Sequence, residues 1–418
     1  MGIWAQLRGL TPVQRNAFLA SYLGWTLDAF DFFILVFVIP DVAKTFKVDK
    51  TAVTYAIFLT LAFRPVGALA FGWLGDRFGR RTTLLLDVVF YSLMELLSGF
   101  APTLTAFLIL RAVFGIAMGG EWGLGASLAM ETVPARTRGL LSGILQQGYP
   151  VGYLLAALAF RFVFPALGWR AMFFLGALPA LLSLFIRFGV QESPVWTQNR
   201  ERRVTQTLGQ SVARNLGLFC YMAVLMAAFN FMSHGTQDNY PTFLRVQHGF
   251  KPDTVSTIAI VYNVGAIGGG ILFGALSQRI GRRRAIILAA LLALPVIPLW
   301  AYGRTAGMLA LGAFAMQFFV QGAWGVIPAH LSELSPGALR GTFTGLAYQT
   351  GNLIASYNAT LQSGIAERHG NNYSLALASV ITVVLLAVAG ITALGREAPE
   401  AEFAAQGNLP PAQAPTPP

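Results

Sequence analysis

Long apolar runs, each ended by glycine, proline or a charged residue, follow one another along nearly the whole chain. Most reach about 20 residues, the length a helix needs to cross a bilayer core of about 30 Å. They are rich in Leu, Ala, Phe and Gly and lack two-residue alternation, so they predict helices rather than barrel strands. Twelve spans are expected, at about 16 to 40, 52 to 75, 82 to 101, 104 to 131, 138 to 164, 169 to 190, 215 to 244, 253 to 277, 284 to 302, 305 to 332, 339 to 366 and 373 to 395. The polar stretch 191–214 divides them into an amino-terminal half (1–190) and a carboxyl-terminal half (215–396). The Pro/Ala/Gln-rich segment 397–418 is expected to be a disordered tail. The fold class is therefore all-α and membrane-embedded, with twelve transmembrane helices in two six-helix halves.

Composition agrees. Of 418 residues, 55% are apolar and 11% charged, against roughly 25% charged in an average soluble domain, which excludes a water-soluble globule. The single cysteine, Cys220, lies in an apolar run, so no intrachain disulfide exists. The first run carries Asp28 and Asp31 and no small-residue cleavage site, and it is expected to be retained. A net charge of +11 would suit nucleic acid, but the basic residues are scattered over short loops, so no nucleic-acid partner is expected. With the amino terminus inside, one side holds about twice as many basic residues as the other. Its clusters are Arg77, Arg80 and Arg81, Arg200 to Arg203, and Arg282 to Arg284. The positive-inside rule then places both termini in the cytoplasm of a multi-pass plasma-membrane protein.

An internal repeat organises the chain. Gly72-Trp-Leu-Gly-Asp76-Arg77-Phe-Gly79-Arg80-Arg81 recurs 202 residues later as Gly274-Ala-Leu-Ser-Gln278-Arg279-Ile-Gly281-Arg282-Arg283. At the same offset, Gly120-Glu121-Trp122-Gly123 through Glu131, Pro134, Arg138 and Gly139 matches Gly322-Ala323-Trp324-Gly325 through Glu333, Pro336, Arg340 and Gly341. Two parallel six-span repeats are an architecture in which the halves rock about a site at the bilayer midplane.

These motifs carry a resemblance. The loop Gly72 to Arg81 resembles the signature between spans 2 and 3 of major facilitator superfamily transporters. Glu131-x-x-Pro134-x-x-x-Arg138-Gly139 resembles the signature after span 4, and Glu192-Ser193-Pro194 follows span 6. Within span 7, Asn230 to Thr242 is similar to the signature of lactate/pyruvate proton symporters in the sialate:proton symporter group. The resemblance implies that Asp76, Arg77, Arg80, Arg81, Glu131 and Arg138 form a cytoplasmic charge network that latches the halves together and breaks when the inside opens. Gln278 replaces the acid of that loop in the second half.

Ionisable groups within spans are expensive and usually face a cavity. Asp28, Asp31, Arg64, Asp87, Glu95, Arg111, Glu121, His234 and Asp238 qualify. Asn230, His234, Gln237 and Asp238 fall at i, i+4, i+7 and i+8, one stripe of a helix, able either to line a cavity or to bind neighbouring helices. The repeat maps Asp28 onto Asn230 and Gln147 onto Gln349.

Asp28 and Asp31 share a face three residues apart, where burial and repulsion favour a proton on one of them. Their alternative role is pairing with Arg64 or Arg111. Glu121 is a further proton carrier, or else a partner of Arg111. Arg64, just before Pro65, offers a planar fork of donors suited to a carboxylate. Gln349 and Asn352, three apart, complete the expected pocket, unless they serve helix packing. His330 reads as a gate or cap, and Asp87 and Glu95 have no partner evident from sequence.

The expected function is proton-coupled uptake of a small monocarboxylate such as lactate or pyruvate, by a monomer without cofactor or metal. In that scheme Arg64, Asn230, His234, Gln237, Gln349 and Asn352 hold the acid, and Asp28, Asp31, Glu121 and Asp238 exchange the proton, a task His234 could share. The alternative is a larger acid, sialate or aromatic. No His-Glu-x-x-His, no Gly-x-Ser-x-Gly and no usable cysteine suggests an enzyme.

Overall fold

The computed structural model describes residues 7–199 and 213–397. The cluster Arg200 to Arg203, most of the linker and the tail beyond Glu397 lie outside the described residues. Nineteen α-helices account for the described chain. The first four are α1 (Pro12–Phe46), α2 (Lys50–Phe78), α3 (Arg80–Gly99) and α4 (Leu104–Thr132). The rest of the first half comprises α5 (Ala135–Gln146), α6 (Gly148–Phe162), α7 (Phe164–Leu175) and α8 (Ala180–Gly189), with α9 (Pro194–Asn199) following. The second half holds α10 (Leu216–Gln237), α11 (Tyr240–Val246), α12 (Pro252–Ile280), α13 (Arg282–Ala293), α14 (Ile297–Tyr302), α15 (Ala306–Trp324), α16 (Ile327–Leu334), α17 (Arg340–Ala355), α18 (Asn358–Arg368) and α19 (Tyr373–Leu394).

Ten helical stretches among the described residues are long and apolar enough to cross a membrane. The expected spans 5 and 11 miss that threshold. Span 5 is broken at Gln147 and span 11 at Ser356 and Tyr357, and both carry polar residues toward the other half. Span 7 also breaks, at Asp238 and Asn239, just before Tyr240-Pro241. A proline early in a helix has no N–H to pair, so it suits the start of a second segment. The expected limits of span 1 were too short, because Thr11 caps α1 in a box with Gln14 and the helix runs to Phe46.

The 202-residue offset holds in three dimensions. It carries the limits of α2 onto those of α12, the start of α3 onto that of α13, and the ends of α4 onto the start of α15 and the end of α16. Gly79 and Gly281 form the turns between the paired helices at φ of 114° and 94°, a region that side-chain-bearing residues avoid. Large apolar side chains such as Phe58, Val66, Leu93, Phe188, Leu272 and Val383 point outward, as lipid-facing surface requires.

Packing between the halves follows the same symmetry. Helix α2 lies against α17, and its repeat partner α12 lies against α5. Gly139 and Gly143 of α5 meet Gly274 and Gly270 of α12 backbone to backbone. Packing inside the halves differs. The second half has one continuous apolar core, whereas apolar residues of the first form separate cores on either side of a layer of buried charge.

Candidate substrate and proton site

At the end of the helices that carries the arginine loops, the halves are locked by a two-fold set of ion pairs. Arg80 pairs with Asp76 and, at 3.3 Å, with Glu131, and Arg340 reaches Glu131 from the other half at 3.0 Å. The repeat partners reproduce this: Arg282 binds Glu333 at 3.0 Å, and Arg138 reaches Glu333 across the interface at 3.2 Å. Arg138 also donates to Met130 O, and Arg340 to the matching Ser332 O. Asp76 accepts from Gly341 N, Thr342 N and Thr342 Oγ1 at 3.1, 3.0 and 2.6 Å. Gln278 accepts from Gly139 N, the symmetry mate of Gly341, at 3.0 Å, so the bond survives the loss of the acid.

Two of the six expected latch residues lie apart from this set of ion pairs. Arg77 is exposed and lies over Trp73 and Phe78, which its position on the outer face of α2 dictates. Arg81 stays in the first half and donates to the carbonyls of Ile186 and Arg187 at the end of α8. Two acids missed from sequence cap helix starts: Glu192 accepts from the backbone N–H groups of Arg80 and Arg81, and Glu397 from those of Arg282 and Arg283. Acids near unpaired helix N-termini were a legible signal for both. Glu397 thus takes part in the fold, against the expectation for the tail. His330 is fully buried with neither ring nitrogen hydrogen-bonded among the described residues, so it is not a helix cap.

Above the latch sits an aromatic floor that the sequence reading also missed. Trp122 stacks on Tyr348 at 4.4 Å, Trp25 stacks on Tyr149 at 5.4 Å, and Tyr348 meets Trp25 and Trp324 edge-on. The residues come from both halves.

His234 and Asp238 are part-exposed, with side chains 32% and 38% exposed. His234 Nδ1 faces Asp238 at 3.1 Å, and Nε2 faces Asn352 Oδ1 at 3.1 Å. The expected stripe on span 7 divides. Gln237 is held by Gln317 at 3.0 Å, and Asn230 turns back to donate to Met226 O of its own helix at 2.8 Å. Gln349 is buried with both amide atoms unpartnered among the described residues.

Arg64 is buried. Its Nη2 lies 3.7 Å from Asp28 Oδ2, the guanidinium rests 5.5 Å from the Phe32 ring, and Nε and Nη2 donate no hydrogen bond among the described residues. It is also within electrostatic reach of His234 in the other half. A planar cation with two unused donors is a receptor for a carboxylate. Deeper in the first half, Arg111 pairs with Glu95 and with Ser98 at 2.9 Å, and it stacks over Phe114 at 4.2 Å. Glu95 therefore has a partner, and Glu121 is not bound to Arg111. Asp31, Asp87 and Glu121 are fully buried with no hydrogen bond among the described residues. No group of acids and histidines among the described residues is arranged to hold a metal ion.

Matched ion pairs thus join two helical repeats at one end, with polar side chains of both halves above them. The sequence profile of the Major Facilitator Superfamily matches residues 22–269 and 239–416, and the chain belongs to that superfamily. It is a multi-pass membrane transporter and not an enzyme. It is 29% identical over 391 residues to a carboxylic acid transporter protein homolog of Saccharomyces cerevisiae, covering 87% of this chain and 63% of that protein's length. It is 28% identical over 389 residues to the sialic acid transporter NanX of Escherichia coli, covering 91% of this chain and 95% of that one. The fold matches the proton:xylose symporter XylE with a TM-score of 0.77 at 19% identity, over 94% of this chain and 99% of that one.

Proposed function

We propose that the chain is a proton-coupled symporter of a small monocarboxylate such as lactate or pyruvate, working by alternating access as a monomer in the plasma membrane with both termini cytoplasmic. One observation carries the reading: among the described residues a buried arginine has two donors without a hydrogen bond, beside a buried aspartate and within electrostatic reach of a part-exposed histidine of the other half. An acid entering the crevice engages Arg64, with His234 and Asn352 on the opposite wall and Gln237 and Gln349 behind them. Asn230 shapes the wall from behind.

Binding at Arg64 removes the counter-charge of Asp28, which then requires a proton to remain in a buried site. Asp31 and Glu121 share that proton, and Asp238 orients His234. The carboxylate and its proton cross as a neutral load, avoiding the work of moving charge against the membrane potential. The arginine-rich latch is then the cytoplasmic gate, and with that gate shut the crevice faces outward.

A second reading keeps the mechanism and enlarges the acid to sialate or an aromatic acid. The similarity to a sialic acid transporter across nearly the full chain favours it. Purified protein in liposomes tests both readings. Labelled lactate should accumulate when the outside is acidic, and short acids should compete better than bulky ones. Uptake that ignores the pH gradient refutes symport, and stronger competition by sialate replaces the first reading with the second.

A further inference from the structure

Asp87, Tyr91 and Glu95 recur at i, i+4 and i+8 along α3, forming a stripe that faces the protein interior. All three are fully buried. Neither carboxylate oxygen of Asp87 nor the hydroxyl of Tyr91 has a hydrogen-bond partner among the described residues. Buried polar groups ordinarily find partners, and orphaned ones mark strain or function.

The Tyr91 hydroxyl lies within electrostatic reach of four acids: Asp28 and Asp31 of α1, Glu121 of α4 and Asp87 of its own helix. The charged groups around this nest are Arg64 of α2, paired with Asp28, and Arg111 of α4, paired with Glu95. Glu121 is pressed against Gly24 of α1, one turn before Asp28, where a larger residue would displace the carboxylate. Asp31 faces Gly176 beyond α7, beside Glu95. Five acids and two arginines thus occupy the buried interior of the first half, with the Arg64–Asp28 pair among them.

We propose that Tyr91 is the hub through which these buried acids exchange the transported proton, with Asp87 as its terminal toward the arginine loops. The inference rests on proton symport as read above. A phenol both donates and accepts. Once side-chain rotation brings the Tyr91 hydroxyl into hydrogen-bond contact with two of these acids, its O–H passes a proton to the carboxylate on one side while its oxygen takes the proton of the carboxylic acid on the other. One O–H bond breaks and one forms on the tyrosine, and it stays neutral throughout. The proton path then leaves the substrate path at Asp28 and runs down α3, two turns above Arg80.

The test compares the wild type with Tyr91→Phe and Asp87→Asn in liposomes, using whichever of labelled lactate, pyruvate or sialate the wild type accumulates under an acidic outside. Uptake driven by the pH gradient and counterflow at equal pH are measured together. Tyr91→Phe removes one oxygen and keeps the edge-on contact with Phe114. A positioned proton-transfer group contributes about 10²-fold or more, and conformational steps mask part of it. The ratio of gradient-driven uptake to counterflow should therefore fall at least about tenfold in both variants. An unchanged ratio in Tyr91→Phe overturns the hub, and an unchanged ratio in Asp87→Asn overturns the terminal. A parallel fall of both rates shows a packing role and also overturns the proposal. If Tyr91→Phe does not fold, Asp87→Asn decides alone. A wild type that ignores the gradient for all three acids refutes symport itself, a result distinct from either variant outcome.

Discussion

The two halves of this carrier share one backbone plan and oppose each other in chemistry. At the 202-residue offset, Asp28, Asp31, Arg64, Asp87, Glu95, Arg111 and Glu121 correspond to Asn230, Ser233, Ala266, Ala289, Ile297, Ala313 and Ala323. Every buried charge of that set in the first interior has an uncharged partner in the second. The second half instead gathers amides and one imidazole around the break in span 7: Gln237 on Gln317, His234 on Asn352, and Gln362 on Gly235 O. Near the arginine end the halves converge again, with matched ion pairs on Glu131 and Glu333. Symmetry is kept where the halves close on each other and lost in their interiors. Under the proposed function, proton chemistry falls to the first half and recognition of the acid largely to the second, with Arg64 between them.

The largest effect should come from breaking the internal pairing of the first half. Arg111→Ala leaves Glu95 buried without its counter-ion, which costs about 3–5 kcal/mol. Thermal unfolding in detergent should show a correspondingly large drop, partly restored by adding Glu95→Gln. The matched change in the second half, Ala313→Gly, should cost only about 1 kcal/mol.

Arg64→Ala comes next. Losing charge-assisted bonds worth about 1.5–3 kcal/mol should raise the acid concentration for half-maximal uptake roughly ten- to a hundredfold. Kinetics of labelled uptake measure this.

A smaller effect sharpens the comparison at the latch. Asp76 accepts three bonds from the other half and Gln278 accepts one from it at the matched glycine. Replacing Asp76 with Ala should loosen that end by about 2–3 kcal/mol and replacing Gln278 with Ala by about 1 kcal/mol. Cysteine-labelling rates at the latch interface would report the difference. Arg77→Gln should change stability by no more than about 0.5 kcal/mol, since its side chain is exposed.

Much of this was legible beforehand. Breakers and apolar runs located the helices, and the repeat foretold which ends would meet. Pairing across helices was harder to read. Glu95 and Arg111 lie eight residues on either side of Thr103, and an antiparallel helical hairpin brings such positions to one level. That cue was present and unused. Helical spacing fixes the face of Asn230 but not its rotamer, and its amide nitrogen donates to Met226 O of its own helix. Gln278 replaces the acid of the second loop, and its amide oxygen accepts the same glycine N–H that a carboxylate would. The aromatic floor escaped notice because Trp25, Trp122 and Tyr348 come from three distant helices and have no shared period.

The division of labour between the halves is tested most directly by measuring proton and acid fluxes together in the same liposomes for Asp28→Asn and His234→Ala. The account predicts that Asp28→Asn loses proton flux accompanying the acid, while His234→Ala raises the half-maximal acid concentration about tenfold and keeps the proton-to-acid ratio. A coupled Asp28→Asn beside an uncoupled His234→Ala would contradict it.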